Sequence, residues 1–119
     1  MKFEIGHVYI IYCSWIEPPH DKISLCISAE KGWFFWFNSD KKTHGIGQIL
    51  APKGCHPAII KDCYLDLSGI KTFKIADLET ARPRGLLADP FKTVARDALE
   101  AGVRLLPPLH RDLGLAALK

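Results

Sequence analysis

Five consecutive aromatic residues, Trp33-Phe34-Phe35-Trp36-Phe37, constrain this chain more than any other feature. Lys31-Gly32 precede the run and Asn38-Ser39-Asp40 follow it. Bulky rings bounded by turn-forming residues predict a short β-strand. Successive side chains of a strand point to opposite faces, so this strand puts rings on both. Either protein covers both faces, or one of them meets a partner. A core strand and a binding surface are both open at this point.

The neighbouring segments supply the rest of a β-fold. His7 to Cys13 is β-branched and aromatic throughout, and Lys22 to Ser28 alternates, with Ile23, Leu25 and Ile27 on one side. Pro18 and Pro19 make residues 14–21 a loop, and Ala29 to Gly32 a hairpin turn. Further strands are expected at 48–50, within 57–66 (Ala58-Ile59-Ile60 and Cys63-Tyr64-Leu65) and at 70–75. Short strands separated by turns predict a small barrel rather than a parallel sheet. The period changes in the last third. Asp89-Pro90 is a helix start, Phe91, Val94, Ala95, Ala98 and Leu99 form one apolar stripe, and Gly102 is the stop. Pro107-Pro108 breaks the chain before a second short helix over 109–118. The expected fold class is therefore mainly β: a small SH3-like β-barrel of five to six strands with a C-terminal helix. A chain of 119 residues is read as one domain, 1–119, with the barrel in 1–76 and a loop plus helical segment in 77–119.

Charge and cysteine usage narrow the function classes. A net charge of +3, from 16 Lys+Arg against 13 Asp+Glu, is too mild to demand a nucleic-acid partner, although folding can gather it on one face. No apolar run approaches the roughly 20 residues that span a bilayer. With no signal-peptide pattern at the N-terminus, a cytoplasmic protein without a membrane partner is expected. Cys13, Cys26, Cys55 and Cys63 contain no C-x-x-C pair and read as free thiols. Their spacing with His20 and His56 matches no zinc pattern, so no metal is expected.

The order of elements carries a family resemblance. A strand opening with Gly6-His7-Val8-Tyr9, a Pro-containing loop and a basic residue leading an apolar strand (Lys22 to Ser28) come first. A strand ending in Asn38-Ser39, a later strand, Gly85-Leu86-Leu87 and a terminal helix follow. In this order the chain resembles the MazF/PemK family of plasmid-maintenance toxins over most of its length. The resemblance implies an SH3-like barrel with helical additions. It also implies a metal-independent, cofactor-free endoribonuclease of toxin–antitoxin type acting on single-stranded RNA. Such a protein works as a homodimer and is neutralised by a cognate antitoxin. The family's arginine before the second strand, usually followed by proline, corresponds to Lys22, and its Thr or Ser after the third strand to Ser39. Lysine gives a point charge where arginine gives a bidentate fork. Lys61-Asp62-Cys63-Tyr64-Leu65-Asp66 stands where the family has an Asp-Gln-x-Arg-like stretch. The chain resembles a diverged member, active or inactive.

Metal-free RNA cleavage needs a base for the 2′-hydroxyl, an acid for the leaving oxygen and positive charge on the phosphate. The candidate catalytic residues are Lys22 for phosphate, Ser39 assisting, and His20 as acid/base. Candidate RNA-binding residues are Trp15, whose ring can stack a base, and His44. In this scheme the aromatic strand aims Ser39 toward Lys22. Each residue also has a plain structural role: solvated loop residues for His20 and His44, a turn hydrogen bond for Ser39, an exposed strand start for Lys22, a barrel cap for Trp15. Asp62 and Asp66 are expected at the surface, and His56 in a turn. The alternative function is a non-catalytic SH3-like binding module for a protein or peptide partner, using Trp15 and one face of 33–37. A third reading is a structural subunit whose aromatic face is a dimer interface.

Overall fold

The computed structural model describes residues 2–41 and 45–119. Strands β1 (His7–Cys13), β2 (His20–Ser28), β3 (Trp33–Asn38), β4 (Gln48–Ala51), β5 (Cys63–Asp66) and β6 (Arg82–Leu86) build one antiparallel sheet in the order β4-β5-β3-β2-β1-β6. Helices α1 (Ile75–Leu78), α2 (Phe91–Ala101) and α3 (Pro108–Ala117) complete the chain. The fold is mainly β with C-terminal helices, as the sequence predicts, and the sheet stays open instead of closing into a barrel. No helix among the described residues is long and apolar enough to cross a membrane.

Strand register assigns every side chain to a face. Val8 pairs with Leu25 and Leu25 with Phe35, while Tyr9 pairs with Ser24 and Ser24 with Trp36. On the first face Val8, Leu25, Ile27, Phe35 and Phe37 pack under Phe91, Ala95 and Leu99 of α2 and Ala117 of α3. The apolar stripe expected of α2 is the one it buries, except that Val94 is exposed. Pro90, not Asp89, is the N-cap residue of α2, and the Asp89 carboxylate just before it accepts the Thr93 amide at 3.0 Å. Gly114 lets α3 come close, since a Cβ there would stand 3.1 Å from the Phe35 ring and 2.8 Å from Leu99.

On the second face Tyr9, Ile11, Cys26 and Phe34 pack with Phe3, Phe73, Leu78 and Ala81. Phe34 meets Phe3 and Phe73 edge-on, both at 5.4 Å between ring centroids. Protein therefore covers both faces of the five-ring strand.

Three local expectations change. Residues 57–62 are not a strand: the Ile59 amide donates to the His56 carbonyl at 2.9 Å, and only Cys63–Asp66 joins the sheet. Residues 70–75 reduce to one bridge, in which Lys71 exchanges backbone hydrogen bonds of 2.8 and 3.0 Å with Phe34. The 77–119 segment is more than loop and helix, because β6 pairs with β1 as an edge strand. Edge position tolerates Pro83, whose missing N–H would break an interior ladder. Gly6 makes the junction of β1, β6 and α3. Its φ of +80° is open to glycine, and a Cβ would stand 2.8 Å from the Ala117 carbonyl oxygen.

Candidate functional site

Trp36 is the centre of a place where aromatic rings, cations and unmet hydrogen-bond donors converge. Its strand position puts it on the second face beside Ser24, one residue pair beyond the Phe34 cluster. The Lys22 ammonium lies 4.8 Å from the centre of the Trp36 ring, and the Lys71 ammonium 5.3 Å. Each such contact contributes about 0.5–2 kcal/mol, more as water is excluded. Trp15 lies against the same ring with centroids 5.6 Å apart and planes 30° apart, and Phe73 at 5.7 Å. Trp36 is 5% exposed, whereas Trp15, on the loop after β1, is 48% exposed.

Three anchors set this geometry. The Lys71–Phe34 bridge runs residues 70–73 beside β3 and so delivers Lys71 and Phe73 to Trp36. The Trp15 indole N–H donates to the Thr72 carbonyl at 3.1 Å. Just before it, the Ser14 amide and hydroxyl both donate to Asp77 Oδ2, at 2.8 and 2.7 Å. Those two bonds hold the Asp77 carboxyl below its ordinary pKa.

Lys22 and Trp15 are thus brought together at one ring of the aromatic strand, that of Trp36. Lys22 is half-buried rather than exposed, and its Nζ donates to Asn38 Oδ1 at 2.8 Å. Asn38 is the strand-end residue that meets Lys22. Ser39, the next residue, is exposed beyond the end of β3. His20 opens β2 two residues before Lys22 and on the same face, a spacing of roughly 6.7 Å along a strand. It is exposed, and its Nδ1 donates to the Pro18 carbonyl at 2.7 Å, which leaves the lone pair on Nε2. Asp21 is held by Arg82 at 2.8 Å. His44 lies outside the described residues. The face continues through Tyr64, in register with Asn38, to the half-exposed Leu50, in register with Tyr64.

Other candidate chemistry resolves into structure. Asp66 is buried, not at the surface, and its Oδ1 accepts the Ser68 amide and hydroxyl at 2.9 and 2.5 Å. Asp62 accepts the Lys53 amide at 2.8 Å. The four thiols are free, and burial pushes Cys26 and Cys63 up to about 11, which keeps them protonated and unreactive. Among the described residues no group of three or more His, Cys, Asp or Glu could hold a metal ion.

Sequence reasoning reached Trp36 only as part of one face of 33–37, and it missed Asn38 and Lys71 as site residues. Trp36 and Asn38 carried a signal in their i, i+2 spacing next to a strand bearing Lys22, but only the register shows that these residues share a face. Comparison with protein-family models, with curated proteins and with solved structures finds no match. The site's chemistry has to speak for itself: two ammonium groups for an anion, a half-exposed ring for a planar group, and donors for an acceptor.

Proposed function

We propose that this chain binds single-stranded RNA on the Trp15–Trp36–Lys22 face and cleaves it without a metal, as a diverged relative of the MazF/PemK toxins. One observation carries the reading: two lysine ammonium groups share the Trp36 ring next to the half-exposed Trp15. Phosphates answer the charges, and the splayed bases of a single strand answer the ring, with stacking worth about 1–3 kcal/mol per base. In cleavage Lys22 holds the phosphate and Ser39 helps orient it. His20 Nε2 takes the 2′-hydroxyl proton as the 2′-oxygen bonds to phosphorus. The P–O5′ bond breaks, leaving a 2′,3′-cyclic phosphate, and the departing 5′-oxygen takes a proton from water. The same reading has the protein acting in the cytoplasm as a homodimer checked by a cognate antitoxin.

A second reading, binding without cleavage, draws on the exposure of Ser39 and His20, neither of which shares the Lys22–Asn38 hydrogen bond. Incubation with mixed-sequence single-stranded RNA separates the two. The first reading expects fragments ending in cyclic phosphate, lost in His20→Ala while binding persists. Lys22→Ala should weaken binding about tenfold, the loss of a charged hydrogen bond to phosphate. Bound but intact RNA would leave the second reading standing, and no binding at all would overturn both.

A further inference from the structure

Two donors on this face lack partners. Trp36 Nε1 and Asn38 Nδ2 are buried side-chain atoms with no hydrogen-bond partner among the described residues. An unmet buried N–H costs about 1–3 kcal/mol, so native folds keep only a few. Here there are two, on alternate residues of one strand and therefore on one face. Asn38 cannot turn its amide to escape, because its Oδ1 is already taken by Lys22 Nζ. The adjoining lysine ammonium groups are donors as well. Whatever completes the site must therefore present acceptors.

The cover over the Trp36 ring is uneven. Phe73 belongs to the packed cluster of the second face, but Trp15 stands on a loop, half exposed. Beyond its ring contact with Trp36 its side chain is held, among the described residues, by a hydrogen bond to Thr72. The chain is pinned one residue earlier, where Ser14 meets Asp77, so Trp15 can swing while the loop's base stays in place.

We propose that Trp15 is a movable cover, and that an acceptor group of a nucleotide displaces it to take the N–H donors of Trp36 and Asn38. The acceptor is a phosphate oxygen or a base carbonyl or ring nitrogen. The inference rests on the RNA reading and adds to it a subsite and a gate.

The indole N–H resonances of the protein test it directly. The chain has three tryptophans, Trp15, Trp33 and Trp36, assigned by single Trp→Phe variants. Titration with a nucleoside 5′-monophosphate should move the Trp36 signal downfield as its N–H gains an acceptor. The Trp15 signal should move as its Thr72 bond opens, with Trp33 unchanged. If inorganic phosphate or ribose 5-phosphate reproduces the Trp36 shift, the acceptor is phosphate; if the nucleoside alone does so, it is the base. Trp36→Phe keeps a ring and removes the donor, and should weaken mononucleotide binding about fivefold. The wild-type spectra decide the matter even if that variant folds poorly. A Trp36 signal that stays still in every titration overturns the subsite. Single-stranded RNA added to the same sample then separates the two ideas: RNA bound with the Trp36 signal unmoved sinks the subsite alone, and RNA unbound sinks the RNA reading with it.

Discussion

The two faces of β3 are built from one run of aromatic residues and end in opposite chemical states. Trp33, Phe35 and Phe37 turn toward α2 and α3, where aliphatic side chains and the His110 ring close over them. Phe34 and Trp36 turn toward loops, where cations, the half-exposed Trp15 ring and unmet donors collect at the Trp36 end. The helix face behaves as a core, with its partners chosen for shape. The loop face begins as a core at Phe34 and becomes a site two residues later. Burial alone therefore does not distinguish structure from function here. The distinction lies in what surrounds a buried ring: at Trp36 two unmet donors meet two cations and a half-exposed ring.

The sharpest way to break this comparison is to truncate each face. Phe35→Ala removes a fully buried ring against Gly114 and Leu99 and should cost about 3–5 kcal/mol in denaturant unfolding. Trp36→Phe keeps a six-membered ring, trims the rest of the indole and deletes an N–H that has no partner among the described residues, so it should cost less, about 1–2 kcal/mol. Equal losses at the two positions would mean that Trp36 is core like its neighbour and that its donor is not an unmet group.

A smaller effect separates the faces by pH. Asp77 anchors the Trp15 loop through Ser14, and those hydrogen bonds depress its pKa. A depressed carboxyl contributes stability in full above its unfolded pKa of about 3.9 and loses it as pH falls through the lower folded value. Acid in that range should therefore loosen the Trp15 loop ahead of global unfolding. Trp15 fluorescence should change below about pH 4 before far-UV circular dichroism does. In Asp77→Asn the loop should already be loosened at neutral pH and show no such acid step. Coincident fluorescence and dichroism transitions, unaltered in the variant, would show that the loop face has no separate stability.

Much of this was legible from the chain. Strands β1 to β4 and helices α2 and α3 announce themselves through alternation, caps and proline placement, because local pattern and tertiary burial agree there. Strand β6 does not: Arg82-Pro83-Arg84-Gly85-Leu86 is exposed throughout and owes its conformation to pairing with β1 rather than to its own propensity. Ala58-Ile59-Ile60 is the converse, strand-like residues drawn into a turn by His56 and by burial of Ala58 and Ile59 in the helix-face core. At the site, Lys22 and Trp15 were visible as a basic strand start and a loop ring. Trp36 and Asn38 were hidden inside a run whose five rings look alike until register separates them. Lys71 was hidden because its approach depends on a single bridge to Phe34.

The smallest expected effect belongs to the helix face, where His56 is its counterpart to Asp77. The ring is buried beside the core residues Ala58 and Ile59, its Nδ1 accepts the Ala58 amide at 3.0 Å, and its Nε2 reaches the Gly85 carbonyl of β6 at 3.3 Å. This pattern needs the neutral ring with its proton on Nε2, since a proton on Nδ1 would face the Ala58 N–H. Burial lowers the His56 pKa, the direction this geometry demands. A lowered folded pKa means that stability is complete above the unfolded value of about 6.5 and erodes as pH falls below it. The melting temperature should therefore decline gently from pH 7 toward pH 5.5, well before the Asp77 transition. His56→Gln, which offers a donor and an acceptor but no titration, should flatten that decline. If the variant keeps the parental slope, the helix face carries no pH sensitivity at His56, and the two faces do not come apart at different acidities.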